Sequence, residues 1–154
     1  MERFYGAGAA KYDQIPGLAR PCHHLDNFFE WKKTTTGKQP YAIALANRRL
    51  MGMVGLWETW RSPAGERIRS FTIITTQPNT LCAELHNRMP AVLKPEAWPL
   101  WLGERPADVP QLKALLASYP SEDMISWPVS ARVGNVKNND PSRRNDRVPL
   151  PTSG

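Results

Sequence analysis

Residues 50–60 read LMGMVGLWETW and follow a polar turn at 47–49, Asn-Arg-Arg. Residues 68–76, IRSFTIITT, are rich in β-branched side chains and follow Pro-Ala-Gly at 63–65, which is typical of a turn. Residues 41–46, YAIALA, form a third apolar segment just before this pair. The spacing of the three segments predicts an antiparallel β-meander.

The rest of the chain is predicted to form short elements joined by turns. It contains 15 prolines in 154 residues, and proline disrupts helix interiors and central strands. The predictions are a loop or hairpin turn at 32–39, helices at 79–86, 95–102 and 110–119, a short strand at 88–93 and a final strand at 124–136.

Composition sets the class of protein. Hydrophobic residues make up 41% of the chain and charged residues 22%, which is enough apolar surface for one packed domain. The net charge of +6 favours a polyanionic partner such as nucleic acid, although such a charge also serves solubility. The two cysteines, Cys22 and Cys82, make no disulfide framework, and no apolar run reaches the length of a membrane span. We therefore expect a cytoplasmic protein without a membrane partner.

Glu30 stands between Phe29 and Trp31 at the end of an apolar segment. Aromatic neighbours can desolvate a carboxylate and raise its pKa toward the range useful for acid–base chemistry. The alternative is an ordinary outward-facing carboxylate on a half-buried strand, since alternation places polar residues outside.

His86 and Arg88 lie in the stretch LHNRMPAVL at 85–93. A histidine can donate or accept a proton near neutral pH, and an arginine can bind phosphate with two parallel hydrogen bonds. The alternatives are a histidine that binds backbone carbonyls at a helix end and an arginine in a surface ion pair. The cysteines and histidines match no standard spacing for zinc, so no metal is expected.

Several motifs in a fixed order resemble the SOS response-associated peptidase (SRAP) family, whose members sense abasic sites in DNA. The motifs are DNFFEWK at 26–32, KQPYAI at 38–43, VGLWETW at 54–60, FTIITTQPN at 71–79, LHNRMPAVL at 85–93 and PVSARVGNVKNND at 128–140. The resemblance implies an α+β domain of mostly antiparallel, barrel-like β structure with a few short helices. It also implies a basic groove for single-stranded DNA.

The resemblance also implies a mechanism and its residues. Family members expose an N-terminal cysteine by removing the initiator methionine, and its amine and thiol form a thiazolidine with the aldehyde of an abasic site. Glu30 would move protons at that amine, and His86 would assist opening of the deoxyribose ring. Arg88, Thr75 and Trp31 are the implied contacts to DNA, where Arg88 and Thr75 would hold either DNA phosphate or the neighbouring side chains, and no cofactor is implied.

This chain departs from the family at its start. It begins Met1-Glu2, where the resemblance implies Met-Cys. We therefore expect an atypical N-terminal segment at 1–20, a partial SRAP domain at 21–140, truncated at its N-terminus, and a loose basic tail at 141–154. The predicted function is abasic-site sensing on single-stranded DNA. We expect this function to be impaired because the cysteine is absent, and we expect the protein to associate with the nucleoid when it is bound to DNA. A non-covalent DNA-binding module and a non-functional remnant stay open as alternatives, and no obligate protein partner is expected.

Overall fold

The computed structural model describes residues 22–135, 137 and 138. The segments predicted at 1–20 and 141–154 lie outside these residues. The strands are β1 (Cys22–Leu25), β2 (Phe28–Thr34), β3 (Gly37–Leu45), β4 (Met51–Arg61), β5 (Arg67–Ile73), β6 (Thr75–Thr76), β7 (Met89–Pro90), β8 (Val92–Leu93) and β9 (Met124–Pro128). The α-helices are α1 (Thr80–Ala83), α2 (Trp98–Leu102) and α3 (Val109–Ala114), and short 3-10 turns lie at Pro95–Ala97, Ser121–Asp123 and Ala131–Gly134.

The described strands form three separate antiparallel sheets. The first has the order β1-β4-β5, with β8 also paired to β4, the second has the order β2-β3-β9, and the third is the pair β6-β7. The predicted α+β class with mostly antiparallel strands is confirmed. The sheets do not close into a barrel within the described part of the chain.

The predicted meander is correct only for its second half. Strands β4 and β5 form a hairpin, but β3 does not pair with β4. Both edges of β3 are occupied, by β2 on one side and by β9 on the other. The chain leaves that sheet in the turn after β3, where Arg48 adopts a left-handed conformation with φ of 59° and its guanidinium lies 4.5 Å from the ring centre of Trp127.

Other predicted boundaries were wrong in part. The loop or hairpin turn predicted at 32–39 is a hairpin, but its turn is limited to Thr35 and Thr36, because the polar residues on either side pair across β2 and β3. The predicted final strand ends at Pro128, after which Ser130 caps a 3-10 turn by accepting a hydrogen bond from the Arg132 backbone N–H at 3.3 Å. Helix α3 is also shorter than the predicted 110–119.

Three clusters of buried side chains fill the space between the sheets. The first core cluster consists of Ile43, Leu45, Met51, Met53, Cys82, Met89, Val92, Tyr119 and Met124. The second consists of Val54, Leu56, Ala91, Leu93 and Trp101, and the third of Ala42, Ala44, Trp127 and Val129. Alternate residues of β3 and of β4 enter different clusters, so both strands are covered on both faces. Burying a side chain such as Ile43 or Met51 completely contributes about 1.5–3 kcal/mol.

None of the helices in the described residues is long and apolar enough to cross a bilayer.

Candidate functional site

Strand β2 sets the direction in which Glu30 points. Phe28 and Glu30 are two residues apart, so their side chains lie on the same face of the sheet. Phe28 packs against the first core cluster, which contains Cys82, whereas Phe29 packs against the third cluster on the opposite face. Glu30 is half-buried and therefore faces the first cluster. The outward-facing alternative is not the orientation that this strand adopts.

The charge of Glu30 reaches the thiol of Cys82, which is 1% exposed. Burial, the larger cause, and the negative charge of Glu30 together raise the pKa of Cys82 from 9.0 to about 11. A thiol with so high a pKa is protonated at neutral pH and is a poor nucleophile. Cys82 is thus a neutral neighbour of Glu30 and not a reactive group.

Helix α1 connects this thiol to His86. The side-chain oxygen of Asn79 caps the helix by accepting a hydrogen bond from the Cys82 backbone N–H at 2.8 Å. The side-chain amide of Asn79 donates to the carbonyl of Tyr119 at 2.7 Å, which ties the helix start to the segment before β9. The backbone N–H of His86 then donates to the carbonyl of Cys82 at 2.9 Å. Cys82 therefore neighbours Glu30 through its side chain and His86 through its backbone.

The ring of His86 is oriented by the backbone of Arg88. The Nδ1 atom lies 3.2 Å from the backbone nitrogen of Arg88 and 3.2 Å from its carbonyl oxygen. Nδ1 accepts from the N–H when the ring proton is on Nε2, and donates to the carbonyl when the proton is on Nδ1. In either tautomer Nδ1 is used locally. Within the described part of the chain Nε2 makes no hydrogen bond, so Nε2 is the nitrogen able to exchange a proton with a bound molecule.

Arg88 is fixed against β6 by two hydrogen bonds to one residue. Its Nε donates to the hydroxyl oxygen of Thr75 at 2.7 Å, and its Nη2 donates to the Thr75 carbonyl at 2.6 Å. A guanidinium carries five N–H donors, so three remain for other acceptors. Among the described residues no carboxylate forms an ion pair with Arg88, which does not support the surface ion pair considered from the sequence.

The structure brings four of the five predicted site residues to one region. His86, Arg88 and Thr75 form a continuous hydrogen-bonded group. Glu30 is near enough for its charge to raise the pKa of Cys82, whose backbone carbonyl accepts a hydrogen bond from His86. Trp31 is not part of this group. It lies on the opposite face of β2, where a Cβ atom placed on Gly134 would meet its ring at 3.9 Å.

Sequence reasoning missed Asn79 and the position of Cys82. Asn79 follows Pro78 and precedes a predicted helix, so its capping role could have been predicted from its residue type. The proximity of Cys82 to Glu30 had no sequence signal, since 52 positions separate them. In the described ranges no group of three or more His, Cys, Asp or Glu side chains is arranged to hold a metal ion.

Comparison with known sequences gives the family. A profile of the SOS response associated peptidase (SRAP) family matches residues 14–136. The chain is 39% identical over 117 residues to the abasic site processing protein YoqW of Bacillus subtilis, an alignment that covers 75% of this chain and 52% of YoqW. It is 34% identical over 135 residues to the abasic site processing protein HMCES of Xenopus tropicalis, covering 75% of this chain and 40% of HMCES.

Solved structures show the same fold. A crystal structure of a protein from Bacteroides thetaiotaomicron superimposes with a TM-score of 0.75 and 26% identity, over 84% of this chain and 57% of that one. A phage-related protein from Bordetella bronchiseptica superimposes with a TM-score of 0.54 and 28% identity, over 72% of this chain and 53% of the other.

The chain spans about half the length of the relatives that it matches. The profile match covers most of its residues, including Glu30, Thr75, His86 and Arg88. The chain belongs to the SOS response-associated peptidase family.

Proposed function

We propose that this domain senses abasic sites in single-stranded DNA, with Glu30 and His86 as its acid–base residues. The observation that carries the proposal is the grouping of Glu30, Cys82 and His86, in a chain whose relatives YoqW and HMCES are named abasic site processing proteins. Proton transfers to and from the groups that react at one aldehyde require titratable side chains close to it.

The proposed chemistry begins with the closed sugar of an abasic site. A base removes the proton of the hydroxyl on C1′, the bond from C1′ to the ring oxygen breaks, and an acid protonates that oxygen. The product is an open-chain aldehyde. We assign these proton transfers to Nε2 of His86, because its Nδ1 is held by the backbone of Arg88.

Glu30 is assigned the proton transfers of the second stage. A carboxylate accepts a proton from an ammonium group, so the free amine can attack the aldehyde carbon. The new C–N bond gives a carbinolamine, and the returned proton lets its hydroxyl leave as water, which forms the imine. In the family mechanism the amine belongs to an N-terminal cysteine, whose thiol then adds to the imine carbon and closes the thiazolidine.

The thiol decides how stable the product is. A polypeptide that starts Met1-Glu2, as these 154 residues are written, offers an α-amine without a thiol on the same residue. An α-amine without such a thiol forms only the imine, which is reversible, whereas the thiazolidine route gives a stable crosslink. Cys82 does not supply this thiol, because it is buried and its pKa is about 11.

Arg88 and Thr75 are proposed to form the DNA-facing wall of the site. Two donors of Arg88 hold Thr75, and its other donors are available to a phosphate oxygen. The contact predicted for Trp31 stays a prediction, since Trp31 lies on the other face of β2. A Trp31→Ala variant tests it separately.

Borohydride reduction tests the proposal, because it converts an imine into a stable amine link. We expect a denaturant-resistant adduct between the 154-residue chain and single-stranded DNA that contains one abasic site, and none with the undamaged strand. Glu30→Gln and His86→Gln are expected to reduce the adduct by about 10²-fold or more. The matched controls Glu84→Gln, an exposed carboxylate after α1, and His24→Gln are expected to react like the unmodified chain.

Two results would contradict the proposal. One is no adduct with abasic DNA from a chain that melts cooperatively. The other is an adduct that forms equally well in Glu30→Gln and His86→Gln.

A further inference from the structure

We propose that one face of the β4–β5 hairpin is a second contact surface for single-stranded DNA, outside the Glu30–His86 site. We call it the hairpin face and define it by Trp57, Arg61, Arg67, Arg69 and Phe71. This inference rests on the proposed function for the identity of the nucleic acid, and it adds a surface that the site does not contain.

The strand register places these five residues on one face. Trp57 pairs with Phe71, Thr59 with Arg69, and Arg61 with Arg67. In an antiparallel pair, directly opposite residues share a face, and so do residues two apart on one strand. The face therefore runs from an aromatic pair through one arginine to a pair of arginines, with successive pairs about 7 Å apart along the strands.

The aromatic pair is accessible. Trp57 is 37% exposed and Phe71 is 61% exposed, although their neighbours toward the core, Leu56 and Ile73, are buried or half-buried. The hairpin therefore extends beyond the clusters that hold the domain together. Aromatic side chains in such positions provide stacking surfaces for the bases of a single strand.

The charge of the face fits the backbone of the same ligand. In the portion of the chain that the structure describes, the one ion pair joins Lys94 and Asp123, so no described carboxylate neutralises Arg61, Arg67 or Arg69. Of the acidic residues of the hairpin, Glu66 lies in the turn. Arginine next to exposed aromatic rings indicates phosphate and base contacts together, whereas an apolar protein partner would not need three cations.

The hairpin face also continues toward the Glu30–His86 site. Met53 lies on the same face of β4 as Trp57, four residues earlier, and Met53 and Ile73 pack in or against the first core cluster with Cys82. The same cluster is faced by Glu30. The hairpin face is thus the exposed end of the sheet face that buries this cluster, whose members Met53 and Cys82 are only 3% and 1% exposed.

The test measures binding of the 154-residue chain to a fluorescein-labelled oligothymidylate without abasic sites, by fluorescence anisotropy at several salt concentrations. The double variant Trp57→Ala with Phe71→Ala is expected to lower the affinity by about tenfold or more, because the loss of one stacked base has an effect of that order. Arg67→Ala with Arg69→Ala is expected to reduce the slope of log affinity against log salt by about 0.7 for each phosphate that the variant no longer binds.

Matched control variants remove equal amounts of charge and exposed apolar surface elsewhere. Trp60→Ala with Ile68→Ala truncates the pair on the other face of the same hairpin, where the two side chains are 52% and 47% exposed. Arg49→Ala with Arg105→Ala removes two exposed arginines outside the hairpin. Both are expected to bind like the unmodified chain, and cooperative melting is checked for all four.

The outcomes separate this inference from the proposed function. Equal loss in the hairpin variants and their controls, or no binding of the undamaged strand at all, would overturn the hairpin face even if abasic DNA is still trapped by borohydride. A change in oligomeric state of the Trp57 and Phe71 variant without a change in DNA binding would identify an interface between copies of the chain and would also overturn it. Loss of binding in the hairpin variants alone, together with no abasic-site adduct, would support the face and reject the proposed chemistry.

Discussion

The guanidinium of Arg88 holds Thr75 at two points, the side-chain hydroxyl at 2.7 Å and the backbone carbonyl at 2.6 Å. The pair joins β6 to the loop between α1 and β7, and the backbone of that loop orients the ring of His86. The position of His86 therefore depends on an interaction between residues that are 13 positions apart in sequence.

Thr75→Val is expected to lower the free energy of unfolding by about 1.5–3 kcal/mol. The substitution removes the hydroxyl acceptor and leaves the Nε–H of a half-buried cation without it, and hydrogen bonds to charged groups contribute in this range. Urea denaturation measures the change. Thr76→Val is the matched control, since Thr76 is half-buried and its side chain makes no hydrogen bond to described residues. An equal loss in both variants would show that the Arg88 bond is not the cause.

Asn79→Ala is expected to destabilise the domain more than Asn79→Ser. Alanine removes both the cap of α1 and the bond to the carbonyl of Tyr119. Loss of an N-cap alone costs about 0.5–2 kcal/mol. Serine retains an acceptor for the Cys82 N–H and loses only the donor to the Tyr119 carbonyl. Urea denaturation of the two variants measures the difference, and identical losses would mean that the cap has no effect of its own.

The free energy of unfolding is expected to fall as the pH rises from about 9 to about 11. The pKa of Cys82 is raised to about 11 in the folded chain, so above pH 9 the unfolded chain loses the thiol proton while the folded chain retains it. Release of a proton in the unfolded state lowers stability with increasing pH, by up to about 2–3 kcal/mol for a shift of this size.

Cys82→Ala is the comparison for this pH effect. The variant loses buried volume and is less stable at neutral pH, but its stability is expected to fall less steeply between pH 9 and pH 11. Tyr119, whose pKa is also raised, mainly by burial, is present in both chains and affects both equally. Chemical denaturation at a series of pH values gives the two slopes, and parallel slopes would contradict the raised pKa.

Glu30→Gln is expected to lower the pKa of Cys82 without returning it to 9.0. The substitution removes the negative charge, which is the smaller cause, and leaves burial, which is the larger one. The shift is measured by following thiolate absorbance against pH. All variants carry Cys22→Ser, so that the thiol of Cys82 alone titrates. Glu84→Gln removes an exposed carboxylate and is expected to leave the pKa of Cys82 where it is. No shift in Glu30→Gln would mean that its charge does not reach the thiol.

The parts of the fold that could be predicted depend on local signals. The β4–β5 hairpin follows from an apolar segment and a β-branched segment on either side of a Pro-Ala-Gly turn. Helix α1 follows from Pro78 and Asn79 at its start. These signals act within a few residues, so a single sequence carries them in full.

The pairing of β3 could not be predicted in this way. Its partner β9 lies about 80 residues away, and no local property of residues 41–46 distinguishes that strand from β4. Adjacent apolar strands commonly pair, which is why the meander was expected. The three-dimensional packing decides otherwise, because both edges of β3 are already filled.

The candidate site divides in the same manner. The sequence by itself determined which residue types are present, the family to which they belong, and the order of the Glu-Trp and His-Asn-Arg motifs. Only the tertiary structure decided that Glu30 faces Cys82, that Trp31 lies on the other side of the sheet, and that Arg88 holds Thr75. The reason is physical: charges and hydrogen bonds act through space, and the charge of Glu30 reaches Cys82 because Phe28, on the same face of β2, packs against the core cluster that contains Cys82.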